Sequence, residues 1–141
     1  MSVVFFTDRD LGLQFPAILR DAGIRVERHA DHFPPTCADD VWLRETAMKG
    51  WIAVTHDARI RYKPNELAAV VEHKASLLVA IGWAPYPELA RSFVDTLDAI
   101  LTFLADHRPP LIAKVYRASP AEIARNPHAS GRVELWYPKR T

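Results

Sequence analysis

Short apolar runs alternate along the chain with segments in which apolar residues recur every three or four positions. The runs are typical of buried β-strands and cover 3–6, 51–55, 77–81 and 111–116. Residues 24–28 instead alternate apolar with polar side chains, which favours a strand nearer the edge of a sheet. The pattern therefore predicts five strands before the C-terminal part of the chain.

The segments between these strands have the spacing of amphipathic helices. Four helices are predicted. The first lies between Leu11 and Gly23, and the second begins at Asp39 or Asp40 and is closed by Gly50. The third begins at Pro64 and ends before the strand at 77–81, and the fourth runs from Pro87 to Ala105. Near the C-terminus, Ser119 is a candidate helix cap, and 133–137 is a last strand or an extended arm.

Strands and helices follow one another in turn, which is the order that gives a parallel sheet covered by helices on both faces. We expect an α/β fold: a three-layer α/β/α sandwich with a mostly parallel central sheet. The expected organisation is a single domain over 1–141, with 119–141 as a C-terminal extension.

The composition is that of a globular protein. Its 141 residues suffice for one domain, and 49% hydrophobic against 25% charged residues exclude a disordered or fibrous chain. No apolar run reaches the roughly 18 residues that a membrane helix needs, and the first residues lack the basic start of a signal peptide. Cys37 is the single cysteine, so we expect a cytoplasmic protein with no internal disulfide and no membrane partner.

Acidic residues gather where the strands are expected to end. The acids that follow a strand or begin a helix are Asp8, Asp10, Asp39, Asp40 and Asp57. Such positions share the carboxyl-terminal edge of a parallel sheet, where these sheets bind their ligands. Carboxylates held close together repel one another unless a cation neutralises them, and hard oxygen ligands suit Mg²⁺ or Mn²⁺ rather than zinc.

Each of these acids also has an ordinary structural explanation, because aspartate is favoured at helix caps and in turns. Caps and turns do not readily explain why acids from three separate segments lie at the same edge of the sheet. The sequence therefore predicts a metal site, at which a divalent ion could activate water and stabilise charge on a phosphodiester.

Basic residues follow one of these acids directly. The formal net charge is only +1, so any attraction to nucleic acid must be local. Arg59, Arg61 and Lys63 are candidates for holding a phosphate backbone, Tyr62 could stack on a base, and Arg9 lies beside Asp8. The alternative is an ordinary solvated loop.

Three stretches of the chain resemble the PIN-like nucleases, and most closely the small PIN-like family related to VapC-type toxins. They are Phe-Phe-Thr-Asp-Arg-Asp-Leu-Gly at 5–12, Asp-Asp-Val-Trp-Leu at 39–43 followed by Gly-Trp at 50–51, and Val-Thr-His-Asp at 54–57. The Thr-x-Asp sequence after an apolar strand is the most telling of the three. The resemblance covers about 3–82.

The resemblance implies a PIN-like fold, a site for Mg²⁺ or Mn²⁺, and endoribonuclease activity on RNA, as in the toxin of a toxin–antitoxin pair. Asp8, Asp39 and Asp57 would be the catalytic and metal-binding acids. The spacing to Trp42 and Gly50 favours Asp39, and Asp40 stays open as the ligand. The implied partners are an RNA substrate and an antitoxin protein.

One feature departs from the larger PIN domains, which place a glutamate on a helix between the first two acids. Here Glu27 is the only glutamate in that interval, and it lies in a predicted strand. Asp10 is the candidate substitute as a metal ligand.

Other hypotheses compete with a nuclease. An RNA-binding PIN-like domain without cleavage is one, and a phospho-receiver domain is another, although the latter needs a lysine at the end of its fifth strand and Lys114 lies inside that strand. His29, Asp31, His32 and Cys37 are candidate zinc ligands, but their spacing is not that of a standard zinc finger or zinc ribbon. Phe93 and Phe103 on the long helix are candidates for core or homodimer contacts.

Overall fold

A computed structural model describes residues 3–139, in which six strands form one sheet. The strands are β1 (Val4–Thr7), β2 (Arg25–Arg28), β3 (Ile52–Thr55), β4 (Ser76–Ile81), β5 (Leu111–Tyr116) and β6 (Arg132–Tyr137). Their order across the sheet is β2-β1-β3-β4-β5-β6. All neighbours are parallel except β6, which runs antiparallel to β5.

Six α-helices accompany the sheet in this part of the chain. They are α1 (Gln14–Asp21), α2 (Asp39–Met48), α3 (Pro64–His73), α4 (Tyr86–Asp95), α5 (Leu97–Asp106) and α6 (Pro120–Arg125). Helices α1, α4 and α5 pack on one face of the sheet, and α2 and α3 pack on the other. The three-layer sandwich predicted from the sequence is therefore confirmed.

The alternation of side chains along β1 shows how the two cores are separated. Phe5 points into the core beneath α1 and α4, where its ring meets Phe93 edge-on at 5.5 Å. Phe6, the next residue, points to the opposite face and packs 5.5 Å from the ring of Trp42 on α2. Because successive residues of a strand face opposite sides, one apolar run supplies both cores.

The predicted helix over 87–105 is wrong in one respect, because it is two helices separated at Thr96. The hydroxyl of Thr96 donates to the carbonyl of Ser92 at 2.7 Å and accepts from the amide of Gly131 at 2.9 Å. A threonine that bonds back to the preceding turn bends a helix, and here the bend also anchors the loop before β6.

The first predicted helix is shorter than its apolar spacing indicated. Leu11 lies in a separate 3₁₀ turn, Arg9–Leu11, and α1 begins only at Gln14. Gly12 separates the two with a φ of 70°, a left-handed conformation that favours glycine. This turn folds the chain after β1 back over the end of the strand.

The C-terminal segment joins the sheet. The last predicted strand is present as β6, whose pairing with β5 places Arg132 opposite Tyr116 and Glu134 opposite Lys114. Within residues 3–139, none of the helices has the length and apolar character that crossing a membrane requires.

The strand order fixes where a ligand site can lie. The chain moves from β1 outward to β2 and then crosses back to β3 on the other side of β1. At such a reversal the loops that follow the two strands diverge to opposite faces and leave a crevice at their carboxyl ends. The residues just after β1 and β3 border this crevice, and they include Asp8 and Asp57.

Candidate active site

Asp8 stands at the end of β1 with its carboxylate buried. Its backbone amide continues the sheet by donating to Val54 of β3 at 2.9 Å, and its side chain caps the following turn by accepting from the Arg9 amide at 2.8 Å. Only 6% of Asp8 is exposed. The turn then reverses the chain, so that Asp10 returns towards the same place.

Thr55, the last residue of β3, ties this region together. Its hydroxyl lies 2.9 Å from Asp8 Oδ2 and 3.2 Å from Asp10 Oδ2. The same oxygen accepts from the backbone amide of Asp57 at 3.1 Å. Since Thr55 is fully buried, one side chain holds three acidic residues from two segments in fixed relation.

The carboxylate of Asp10 has further support. Both of its oxygens accept from the backbone amide of His56, at 3.3 and 3.2 Å. Its carbonyl accepts from the hydroxyl of Tyr86, at the start of α4, at 2.6 Å. The acid pair, Asp8 and Asp10, is therefore held by β1, β3 and α4.

Burial acts against the charge of the acid pair. The pKa of Asp8 is raised from 3.8 to about 7, chiefly by burial and then by the neighbouring Asp10 charge, although the hydrogen bond from Thr55 acts to lower it. Burial also raises the pKa of Asp10, against the hydrogen bonds from His56 and Thr55. The charged forms of both buried carboxylates are therefore costly, and a nearby cation would stabilise them.

The two aspartates at the start of α2 are separated by the turn of the helix. The Asp39 charge acts on Asp8 and raises its pKa further, and the Asp39 carboxylate accepts from Trp42 Nε1 at 2.9 Å. Asp40 instead borders a surface groove between α2 and α3 with Arg44 and Glu72. The structure thus directs Asp39, rather than Asp40, towards the acid pair.

Asp57 follows β3, but its carboxylate already has basic partners. Lys63 Nζ lies 3.1 Å away, and Arg59 contributes a backbone hydrogen bond at 3.0 Å and a guanidinium at 3.8 Å. Burial acts to raise the pKa of Asp57, yet the bonds from Lys63 and Arg59 outweigh it and the pKa is lowered. Asp57 is therefore an anion at neutral pH.

The predicted basic residues do not lie together. Arg59, whose side chain is 87% exposed, and Lys63 lie at Asp57. Arg61 faces away towards β6, where its guanidinium carbon lies 4.8 Å from the Tyr62 ring centre and 5.5 Å from that of Trp136.

Arg9 is exposed on the other side of the site. Burial lowers the pKa of His29, and the Arg9 charge lowers it further, which places Arg9 towards β2.

Three of the four residues considered for zinc have other partners. His29 is buried among aromatic rings, with Phe33 5.5 Å and Phe6 6.1 Å from its own. Asp31 pairs with Arg28 at 2.7 Å, and His32 pairs with Glu27 at 2.8 Å. Glu27 is thus engaged on β2, as its position in a strand indicated.

Thr55, His56 and Tyr86 were not among the predicted site residues. Thr55 and His56 lie within the quoted Val-Thr-His-Asp stretch at 54–57, so the sequence did mark their position. Tyr86 lies 76 residues beyond Asp10, and no local pattern relates the two.

A divalent ion fits the donor set, provided that water or substrate completes the coordination. Across residues 3–139, no three side chains of His, Cys, Asp or Glu come together closely enough to hold a metal ion by themselves. Mg²⁺ commonly uses one or two carboxylates together with waters and substrate phosphates. The acid pair offers two such carboxylates. Their raised pKa values mean that their negative charges are unfavourable unless a cation neutralises them.

Comparison with known proteins gives two matches. A family model described as a PIN like domain matches residues 3–81. A protein of Mycobacterium tuberculosis (strain ATCC 25618 / H37Rv), named "Putative ribonuclease VapC45", is 40% identical over 126 residues, which are 85% of this chain and 88% of that protein. No solved structure matches the chain. These matches confirm the resemblance that the sequence indicated.

Proposed function

We propose that this chain, which belongs to the PIN-like domain family, is a metal-dependent endoribonuclease with its reaction centre at the acid pair. The observation that carries the proposal is the convergence of Asp8 and Asp10 on the hydroxyl of Thr55, in the crevice between β1 and β3. Buried carboxylates at such a crevice are costly for stability and are characteristic of functional sites.

The relative supports both the activity and the partners. Its name describes a ribonuclease of the VapC type, and 40% identity over 85% of this chain makes a shared activity the simplest hypothesis. The proposal therefore includes RNA as substrate, an antitoxin as protein partner, and a cytoplasmic location where both are found. A homodimer stays a prediction from the sequence.

Asp8 and Asp10 would hold the ion, and Asp39 adds negative charge that favours its binding. When bound, Mg²⁺ or Mn²⁺ supplies an activated water and stabilises the charge that develops on the phosphodiester. Thr55 fixes the orientation of both carboxylates, and the Tyr86 hydroxyl fixes the backbone at Asp10. Asp40 is the weaker candidate, because it faces the surface between α2 and α3.

Asp57 has a different place in this proposal. Its lowered pKa keeps it charged at neutral pH, so it can accept a hydrogen bond from a water bound to the ion. Lys63 and the exposed Arg59 beside it can contact the phosphates of the strand, which offsets the repulsion between RNA and the acids. Arg9 can do the same on the side of β2.

Cleavage of RNA by the purified protein tests the proposal. We expect products with Mg²⁺ or Mn²⁺, none with EDTA, and a loss of at least about a hundredfold in rate for Asp8→Asn and for Asp10→Asn. Asp106→Asn, an exposed carboxylate at the end of α5, is the matched control and should cleave at the wild-type rate. Binding of RNA without cleavage at any metal concentration would favour the RNA-binding alternative instead.

A further inference from the structure

We propose that an open cleft beside the acid pair binds one unpaired nucleobase of the RNA next to the phosphate being cut. The cleft has a volume of about 330 Å³ and is lined by His56, Trp83, Ala84, Pro85 and Tyr86. This inference rests on the proposed function and adds how the substrate strand is placed. A single-stranded nucleic acid is the ligand class, because a planar base fits between aromatic side chains.

The exposure of Trp83 points to a ligand. Trp83 is 92% exposed, the largest exposed fraction among the large apolar side chains of residues 3–139. It stands on the loop that follows β4, at the same edge of the sheet as the acids. A large exposed aromatic at the mouth of a cleft offers binding area to a partner rather than stability to the fold.

The cleft is connected to the acid pair by direct hydrogen bonds. The Tyr86 hydroxyl donates to the carbonyl of Asp10 at 2.6 Å, and the His56 amide donates to the Asp10 carboxylate at 3.2 Å. Two of the residues that line the cleft therefore touch a proposed metal ligand. If the phosphate of an RNA strand lies at Asp10, a neighbouring nucleoside of that RNA must lie either over these residues or in solvent.

Two walls of the cleft are fixed before any ligand binds. The rings of His56 and Tyr86 meet edge-on with centres 6.4 Å apart at 88°, and Tyr86 also packs against Gly12, whose added Cβ would lie 3.4 Å from the Tyr86 ring. His56 Nδ1 lies 2.9 Å from the Ala80 carbonyl. Because a carbonyl only accepts, Nδ1 donates this hydrogen bond, which helps to fix the orientation of the ring.

This chemistry favours a base over a protein side chain. Stacking on an aromatic ring is possible for every base, because every base has a planar π-face. The basic residues Arg59 and Lys63 lie just after His56, at Asp57, so the phosphates that flank the base have cations within reach. An apolar peptide has no phosphates for those cations to contact.

The test is the affinity of a fluorescent single-stranded oligoribonucleotide, measured by anisotropy in EDTA so that no cleavage occurs. Trp83→Ala should weaken binding about tenfold, which is the loss expected for one base–aromatic stack, and Trp83→Phe should recover most of it. Met48→Ala is the matched control. Met48 is 74% exposed at the end of α2, on the opposite edge of the sheet, and its replacement should change nothing.

A second arm identifies the base. In a series of oligonucleotides, each lacking the base at one position, we expect one position at which the missing base weakens binding to the wild-type protein about tenfold. At that position the missing base should weaken binding to Trp83→Ala little further, because the stacking contact is already lost. Equal affinity and the same abasic profile for wild type and Trp83→Ala would overturn the inference, whereas the proposed function would stand as long as the wild-type protein cleaves RNA with Mg²⁺ or Mn²⁺. Wild-type protein that neither binds nor cleaves RNA would overturn both.

Discussion

Asp8 and Asp10 compete for a single hydroxyl proton. Their Oδ2 atoms lie 2.9 and 3.2 Å from the oxygen of Thr55, and a threonine hydroxyl can donate only one hydrogen bond at a time. The second carboxylate is left with the His56 amide, which is a weaker substitute for a positive charge. Burial is the main reason why the pair favours a proton or a cation, and a single shared donor offsets it only in part.

The first prediction concerns stability and pH in the metal-free protein. The pKa of Asp8 is raised from 3.8 to about 7, so the folded protein holds this proton over a range in which the unfolded chain has lost it. The free energy of unfolding should therefore fall, by a few kcal/mol, as the pH rises through that range, and fall no further above it. Denaturant titrations at several pH values measure this.

Two comparisons make the pH prediction specific to Asp8. Asp8→Asn should flatten the pH dependence, whereas Asp106→Asn should keep the wild-type slope. Saturating Mg²⁺ should restore stability at the high end of the range and have little effect at the low end, because an ion competes with the proton. A metal-free protein whose stability does not change across the range would contradict the burial argument.

The second prediction concerns Thr55. Thr55→Val keeps the shape of the side chain but removes the donor to both carboxylates and the acceptor for the Asp57 amide. Since Thr55 is fully buried, we expect a loss of about 1–3 kcal/mol in the free energy of unfolding, together with a loss of cleavage. Thr55→Ser, which keeps the hydroxyl, should retain most of both. Equal behaviour of the two variants would show that the hydroxyl is not what holds the pair.

The third prediction separates the two aspartates of α2. Asp39→Asn removes a charge that acts on Asp8 but keeps an oxygen that can accept from Trp42 Nε1, so the fold should persist. We expect a 10- to 100-fold loss in Mn²⁺ affinity or in cleavage, as for other groups that support a metal site. Asp40→Asn should be close to wild type. A larger loss from Asp40→Asn would reverse the assignment.

The fourth prediction separates the basic residues. Arg59→Ala should reduce the salt dependence of RNA binding by about one unit of slope, because one phosphate contact is lost. Arg61→Ala should leave that slope unchanged and instead destabilise the fold by about 1 kcal/mol, because its guanidinium packs on Tyr62 and Trp136. Affinity over a salt series and thermal unfolding distinguish the two. A reduced slope for Arg61→Ala would place RNA on the face towards β6.

The fold could be predicted where apolar runs are long enough to be buried on both sides. Strands β3, β4 and β5 follow directly from such runs, and their alternation with helices predicts the layers. The break between α4 and α5 could not be predicted, because it depends on a hydrogen bond between Thr96 and Gly131, which lie 35 residues apart. The spacing of apolar residues is the same before and after this break, so the sequence pattern does not indicate it.

The site could be predicted only as far as strand ends determine it. Acids after β1 and β3 must share one edge of a parallel sheet, and Asp8 and Asp57 follow those strands. Which way each side chain turns depends on contacts that no spacing encodes. Arg59 and Lys63 turn to Asp57 and Arg61 turns to Trp136, although the sequence predicts that these three basic residues act together on a phosphate backbone.

The most direct test of the central claim is the anomalous scattering of crystals soaked in Mn²⁺. We predict one peak in contact with the carboxylates of Asp8 and Asp10, on the side of Asp39, and its loss in crystals of Asp8→Asn. Peaks only at other carboxylates, or none at saturating Mn²⁺, would contradict the account of this crevice as a metal-dependent reaction centre.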